Sequence, residues 1–146
     1  MIVLAVDLGA ARTGLAVCDQ NEVLASPAGV IAERDRARLA EKVAAEAEAR
    51  GAGCVVVGLP RNMDGTEGES ARGARAFAER LRALVPVPVE LRDERGTTIT
   101  AHGFLNDTDT RGRKRKAVVD AVAATVILDD YLRYRRNLRK NGKLPG

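Results

Sequence analysis

The chain has 146 residues, of which 45% are hydrophobic, 30% charged and only 3% aromatic. This composition fits one globular domain with an aliphatic core and excludes a disordered chain. No apolar run approaches the roughly 18 residues of a membrane span, and the first residues lack a signal-peptide pattern, so we expect a cytoplasmic protein with no membrane partner. Cys18 and Cys54 lie in separate apolar runs, which predicts buried thiols rather than a disulfide or a zinc site.

The charge of the chain is unevenly distributed. Its net charge is +4, but residues 111–146 carry 11 Lys or Arg and 3 Asp, whereas residues 1–110 carry a net charge of −4. The C-terminal quarter is therefore suited to bind a polyanion.

The first third of the chain predicts three strands. Ile2–Asp7 and Thr13–Cys18 are short apolar runs joined by a few residues, and Val23–Ile31 is a third run interrupted by Pro27 and Gly29. Short connections favour an antiparallel meander, and the proline predicts that the third strand lies at an edge.

A helix and a buried strand follow. The segment Arg34–Arg50 is rich in Ala, Glu, Arg and Lys, and Gly51 is positioned to end it. Cys54–Val57 is wholly apolar, which is typical of a strand buried on both faces of a parallel sheet.

The second half continues the alternation of helix and strand. Thr66 and Glu69 have the spacing of a capping box before a helix over Ala71–Leu84, and Val87–Leu91 is the next predicted strand.

Two further helices are predicted near the C-terminus. The first is a short one over Thr97–Leu105, with His102 partly exposed, and the last covers Ala117–Leu138. We predict one α/β domain over residues 1–138 and a basic tail over residues 139–146.

Carboxylates follow two of the predicted strands. Asp7 ends the first strand, and Asp93 and Glu94 follow the last, at the edge where open α/β sheets bind their ligands. A turn aspartate that bonds the backbone of Gly9 is the simpler alternative for Asp7, and a solvated charge run is the alternative for Asp93 and Glu94.

A fourth carboxylate lies on the last predicted helix. Asp120 shares a helical face with Ala124, Ile127 and Tyr131, a face that should pack on the sheet. A buried carboxylate requires a cation, although stabilisation of a first-turn aspartate by the helix dipole is an alternative. Clustered carboxylates without Cys or His ligands favour Mg²⁺ or Mn²⁺.

A basic segment precedes that helix. Five of six consecutive residues are positive, and we expect a loop that becomes ordered on a phosphate backbone: Arg111, Arg113, Lys114, Arg115 and Lys116. The nearby Tyr131 and Tyr134 are expected to pack rather than to stack on bases.

Four segments resemble the YqgF family, also called RuvX, of the RNase H-like superfamily. They are AVDLGAARTGLAVCD at 5–19, VVVGLPRNMDGTEG at 55–68, DERGTT at 93–98 and KRKAVVDAVAA at 114–124. The resemblance implies an RNase H-like α/β fold, in which a mixed five-stranded sheet with three antiparallel N-terminal strands has helices on both faces.

The family pattern also implies a site. Asp7 would bridge two metal ions, Mg²⁺ or Mn²⁺, while Glu94 and Asp120 would each hold one, with Asp93 as a neighbour or substitute. Besides the basic segment, the expected nucleic-acid contacts are Arg12, Arg61, Asn62 and Arg95. The chain departs from the family pattern at Gly96, Thr100 and His102, which bears on substrate fit.

The implied activity is a metal-dependent endonuclease that cuts four-way DNA junctions, for which a homodimer would be needed. The alternative is a nuclease that matures the 5′ end of precursor 16S ribosomal RNA. Two other classes remain. A non-catalytic nucleic-acid-binding module would need only the basic end, and an actin-like ATPase would share the D-x-G-x-x-x-x-G pattern but needs a second domain.

Overall fold

The computed structural model describes residues 1–93 and 112–143, with the side chains of 112–120 excepted. The described strands are β1 (Val3–Asp7), β2 (Arg12–Cys18), β3 (Ala25–Ala32), β4 (Cys54–Leu59) and β5 (Val89–Asp93). The described helices are α1 (Arg36–Arg50), α2 (Glu69–Arg82) and α3 (Gly112–Lys140). The predicted helix over 97–105, including His102, lies outside the described residues.

The five strands form one mixed sheet in the order β3-β2-β1-β4-β5. The pairs β1/β2 and β2/β3 are antiparallel, whereas β4 is parallel to both β1 and β5. The predicted meander, the edge position of the third strand and the buried parallel strand are therefore confirmed. Because β1, β4 and β5 are parallel, their carboxyl ends share one edge of the sheet, which we call the carboxyl edge.

Each face of the sheet packs against its own helical layer. Leu4 and Val6 of β1 belong to the core beneath α1 and α2, whereas Val3 and Ala5 belong to the core beneath α3. This alternation places helices on both faces, as predicted. The predicted α3 face also packs on the chain's own sheet, through the buried Ala124, Ile127 and Tyr131.

Both cysteines are buried free thiols, as predicted. The Sγ of Cys18 accepts a hydrogen bond from the backbone N–H of Val3, and burial raises the pKa of Cys54 to about 12. Tyr131 is also buried, and its hydroxyl donates a hydrogen bond to Glu90. Tyr134 is partly exposed and packs beneath a guanidinium group, as expected of a packing residue.

The ends of α1 follow the expected chemistry, although the helix starts at Arg36 rather than Arg34. The side chain of Asp35 accepts a hydrogen bond from the N–H of Arg38, which caps the helix. Gly51 adopts a left-handed conformation with φ of 67° after the last turn, which confirms its predicted function as the stop.

The predicted capping box of α2 is wrong. The N-cap is Gly68, without a side-chain hydrogen bond, and the helix covers Glu69–Arg82 instead of 71–84. Thr66 does not cap the helix because its hydroxyl donates to Asp64 Oδ1 at 2.7 Å, within the preceding turn.

The last strand and the last helix also differ from their predicted bounds. β5 begins at Val89 rather than Val87, because Pro86 and Pro88 have no N–H to donate to the ladder. α3 begins at Gly112, five residues before the predicted start, and ends at Lys140. The basic residues 113–116 therefore lie in a helix where a loop was predicted, consistent with the high helix propensity of Lys and Arg.

Candidate active site at the carboxyl edge

Asp7 is the last residue of β1 and lies half-buried at the carboxyl edge. By the alternation of β1, it faces the α3 layer with Val3 and Ala5. Its partner on β2 is Gly14, and the register of Val6 with Val57 puts Gly58 of β4 beside it on the other side. Both sheet neighbours of Asp7 on this face therefore lack a side chain, so neither neighbouring strand covers its carboxylate with a side chain.

The turn after Asp7 depends on Gly9. A Cβ atom on Gly9 would lie 1.9 Å from the carbonyl oxygen of Arg12, so any larger residue would force the turn open. The N–H of Gly9 points to Thr13 Oγ1 at 3.4 Å, and its carbonyl accepts a hydrogen bond from Arg36 at 2.8 Å. Gly9 thus has a packing function in a tight turn, and Arg12 follows it as the first residue of β2.

Asp93 ends β5 at the same edge but on the other face. Val89 and Leu91 pack in the core beneath α1 and α2, and Asp93 continues that alternation. Its Oδ2 lies 3.7 Å from a guanidinium nitrogen of Arg61. The described geometry therefore brings Asp93 to Arg61 on the α2 side, away from the face that carries Asp7.

Arg61 is held between two carboxylates. Besides Asp93, it contacts Glu67 Oε2 at 3.2 Å, and Glu67 also accepts two 2.7 Å hydrogen bonds from Arg75 of α2. Hydrogen bonding from Arg75, together with the charge of Arg61, lowers the pKa of Glu67 to about 2. These contacts fix the Arg61 guanidinium at the carboxyl edge.

The predicted contact residue Asn62 is exposed but is also part of a closed turn. Its N–H donates to the carbonyl of Thr66 at 2.9 Å, and its side-chain amide donates to Thr66 Oγ1 at 2.8 Å. Gly65 has a φ of 89°, a conformation that glycine adopts without strain. The 62–66 turn is therefore ordered by its own hydrogen bonds.

α3 runs antiparallel to β1. Its C-terminal part contacts Glu22 and lies near Met1, and its Tyr131 contacts Cys54, the β4 partner of Val3. Backbone position 120 lies 11 residues before Tyr131, which is about 16 Å along the axis of α3. Along β1, Asp7 lies about 13 Å from Val3, toward the carboxyl edge. From these lengths we expect backbone position 120 to lie near the level of Asp7 at the carboxyl edge.

The remaining predicted site residues cannot be located in the same detail. Glu94, Arg95 and Arg111 lie outside the described residues, and residues 113–116 are described only as helical backbone. Among the side chains that the structure describes, no group of three His, Cys, Asp or Glu is close enough to hold a metal ion. Asp7 is therefore the described member of the predicted acidic set, and Asp93 is directed elsewhere.

Glu22 is a buried charge that the sequence did not indicate. It is 6% exposed, and its carboxylate contacts Arg135 at 2.6 Å, the N-terminal amine at 3.1 Å and Arg139 at 3.2 Å. Burial alone would raise the pKa of Glu22, but hydrogen bonds from these three cations lower it to about 2. We call this group the Glu22 cluster. The sequence holds only an indirect signal of this cluster: Arg135 and Arg139 are spaced one helical turn apart and therefore lie on the same side of a helix.

Within the described ranges, no helix combines the length and apolar character of a membrane span.

The sequence matches a family model, RuvX, described as Holliday junction resolvase, over residues 1–134. A protein of Streptomyces avermitilis named "Putative pre-16S rRNA nuclease" is 41% identical over 144 residues, 98% of this chain and 90% of that one. One of the same name from Anaeromyxobacter sp. strain Fw109-5 is 46% identical over 129 residues, 88% of this chain and 94% of that one.

Two solved structures are similar in fold. RuvC of T. thermophilus in complex with a Holliday junction substrate has a TM-score of 0.56 and 15% identity, over 94% of this chain and 96% of that one. The fowlpox virus resolvase with Holliday junction DNA has a TM-score of 0.57 and 12% identity, over 92% of this chain and 99% of that one. The predicted RNase H-like fold is confirmed.

Proposed function

This chain belongs to the RuvX family, and on that premise we propose that it is a divalent-metal-dependent nuclease acting at the carboxyl edge. The observation that carries the proposal is the position of Asp7. Its carboxylate lies at the end of β1, between two glycines, on the face toward which the N-terminal half of α3 runs. A cation and a phosphodiester group would bind beside this carboxylate, where neither neighbouring strand contributes a side chain.

The residue types fit Mg²⁺ or Mn²⁺. We assign the ligands to Asp7, Glu94 and Asp120, three carboxylates without a Cys or His, and such oxygen donors suit hard divalent cations. Asp7 would bridge two ions, while Glu94 and Asp120 would each hold one. When bound, the cations supply Lewis-acid activation of water and of the phosphodiester group.

We assign the ligand of the β5 end to Glu94 rather than to Asp93. Asp93 faces the α2 layer and lies 3.7 Å from Arg61, whereas Asp7 faces the α3 layer. An ion that contacts Asp7 would require Asp93 to leave Arg61 and cross to the other face. Asp93 instead supports Arg61 as a positioning residue.

Nucleic acid would be bound by cations on both sides of the edge. Arg12 begins β2, and Arg61 and the neutral Asn62 follow β4 at that edge; we add Arg95 and Arg111 from outside the described ranges. Residues 113–116, Arg-Lys-Arg-Lys, begin α3. A helix N-terminus favours anions through its dipole, and four positive side chains there would add phosphate contacts. Affinity should therefore fall steeply with salt.

Two substrates are supported by different observations. The family model is described as Holliday junction resolvase, which favours a four-way DNA junction. The names of relatives at 41% and 46% identity favour precursor 16S ribosomal RNA. A junction resolvase that cuts two strands symmetrically would act as a homodimer, so the first substrate also predicts a two-fold assembly.

A parallel cleavage assay tests the proposal. Wild type and Asp7→Asn are incubated with Mn²⁺ and three labelled substrates: a four-way DNA junction, a linear duplex of the same sequence and a precursor 16S leader RNA. We expect wild type to cut the junction or the RNA and Asp7→Asn to cut neither. Glu48→Gln, which removes an exposed carboxylate of α1, is the matched control and should cut like wild type. Binding of all three substrates without any cleavage by wild type would favour a binding module.

A further inference from the structure

The C-terminal end of α3 carries basic residues of two kinds. Three are paired with carboxylates: Arg133 contacts Asp129 at 2.8 Å, and Arg135 and Arg139 contact Glu22. These three charges are used within the protein, and two of them anchor the end of α3 to the turn between β2 and β3.

The other three, Arg136, Lys140 and Lys143, have no carboxylate within ion-pair distance in the part of the chain that the structure describes. Arg136 and Lys140 are about one helical turn apart on the same side of α3, and Lys143 follows three residues after the helix ends. We call these three residues the basic stripe. Lys140 and Lys143 are exposed, and Arg136 is half-buried.

The end of the basic stripe is held in place by the helix terminus. The N–H of Lys143 donates to the carbonyl of Leu138 at 2.8 Å, and the N–H of Gly142 donates to the carbonyl of Arg139 at 3.1 Å. Gly142 has a φ of 72°, as is usual where such paired bonds close a helix. Lys143 is thereby fixed to the helix end rather than placed on a free tail.

The basic stripe lies far from the carboxyl edge. Because α3 is one helix over Gly112–Lys140, backbone position 116 and Lys140 are about 36 Å apart along its axis. A DNA duplex rises about 3.4 Å per base pair, so about 11 base pairs span the same distance.

We propose that the basic stripe is a second phosphate-binding site, which holds a nucleic-acid arm about 36 Å along α3 from backbone position 116. The ligand class rests on the proposed function. The site makes the protein select substrates with duplex arms longer than about 11 base pairs. Three cations close together in the chain at one helix end suit a backbone of repeating negative charges. Protein-binding sites are instead built around aromatic or apolar anchors, and the stripe has none.

The test is a binding measurement in EDTA, in which no metal-dependent cleavage occurs. Fluorescein-labelled DNA duplexes of 8 and 24 base pairs are titrated with wild type and with the triple variant Arg136→Gln, Lys140→Gln, Lys143→Gln, at 50 to 200 mM salt. The matched control removes three exposed cations from α1 and α2: Arg38→Gln, Arg72→Gln, Arg80→Gln.

We expect the triple variant to lose affinity for the 24-base-pair duplex by roughly 10-fold or more at 50 mM salt. Its slope of log affinity against log salt should fall by about 2.7, since three phosphate contacts are lost. Its affinity for the 8-base-pair duplex should change no more than about twofold, and the control should resemble wild type on both duplexes. The duplex-length comparison within each variant removes the effect of general charge.

Three results would overturn the proposal. Equal losses on both duplexes, or equal losses in the triple variant and the control, would mean that only net charge matters. Lower stability with unchanged affinity would mean that the three cations only offset the helix dipole. This binding measurement does not depend on cleavage. If the nuclease proposal alone failed, the protein would still bind duplexes according to arm length but would cut nothing in the parallel cleavage assay.

Discussion

Asp7 and Glu22 are carboxylates at opposite ends of the region where the sheet packs against α3, and their surroundings differ. Glu22 is 6% exposed and contacts three cations within 3.2 Å. Asp7 is half-buried and lies between Gly14 and Gly58 on its face of the sheet. The carboxylate enclosed by cations is suited to hold the fold together, and the one that lies between two glycines at the carboxyl edge is suited to bind a cation or substrate.

The backbone of Glu22 is also in an unfavourable conformation. Glu22 adopts a φ of 59°, a left-handed conformation that costs a non-glycine residue roughly 1–2 kcal/mol. The contacts with the N-terminal amine, Arg135 and Arg139 offset that cost. A strained residue need not therefore belong to the active site, and the two ends of α3 differ: Glu22 anchors the C-terminal end, whereas the N-terminal end runs toward the carboxyl edge.

The largest expected effect is on activity at the carboxyl edge. Asp7→Asn should lower the rate of Mn²⁺-dependent cleavage at least roughly 100-fold, because the proposed bridging ligand loses its charge. Its urea midpoint should stay close to that of wild type, since no structural ion pair of the Glu22 cluster is touched. Rates on the preferred substrate and urea curves are measured together. If Asp7→Asn lowered the urea midpoint but cut at the wild-type rate per folded molecule, Asp7 would be a structural residue and not a metal ligand.

Glu22→Gln should give the opposite pattern. Removing the charge leaves two partly buried guanidinium groups and the N-terminal amine without their anion, so we expect a loss of about 2 kcal/mol in the free energy of unfolding. Cleavage per folded molecule should be unchanged. Urea unfolding at pH 7 measures the loss, and Glu48→Gln serves as the surface control. A stable Glu22→Gln variant with impaired cleavage would contradict the separation of the two ends.

Acid should weaken the Glu22 cluster over a defined range. The pKa of Glu22 is lowered to about 2 in the folded protein, against 4.5 for an unperturbed glutamate. Its stabilisation is therefore fully present above about pH 4.5 and is lost as the pH falls toward about 2. The difference in unfolding free energy between wild type and Glu22→Gln should be constant above pH 5 and shrink below 4.5. A difference that does not depend on pH would disprove the linkage.

The smallest effect separates Asp93 from Glu94. Asp93→Asn weakens the support of Arg61, so we expect nucleic-acid affinity to fall about threefold, while the Mn²⁺ concentration for half-maximal cleavage stays unchanged. Glu94→Gln should raise that Mn²⁺ concentration and reduce the rate. Titrating Mn²⁺ at saturating substrate distinguishes them. If the Asp93 variant alone changed the metal dependence, Asp93 would be the ligand.

Most of the sheet could be predicted because each strand carries a local signal. The apolar run of β1, the all-buried β4 and the proline in β3 each indicate a position in the sheet without reference to distant residues. The capping box failed because Thr66 has a nearer partner, Asp64, which the spacing rule does not consider. The start of α3 was misplaced because a run of basic residues is compatible with either loop or helix.

The site was only partly predictable. Asp7 could be located at a strand end from the sequence alone, and the structure puts it there. The face occupied by Asp93 could not be predicted, because the strand was expected to end at Leu91 and alternation has no meaning beyond a strand. Glu22 was missed because its partners Arg135 and Arg139 are more than 100 residues away.

The central claim is that Asp7 and Asp120 hold one metal site at the carboxyl edge, and Mn²⁺ binding tests it without any substrate. The bound and free ion can be separated by electron paramagnetic resonance for wild type, Asp7→Asn, Asp120→Asn and the Glu48→Gln control. The account predicts saturable binding by wild type and the control, and its loss in both aspartate variants while their urea curves stay unchanged. Mn²⁺ binding by Asp7→Asn equal to that of wild type would contradict it.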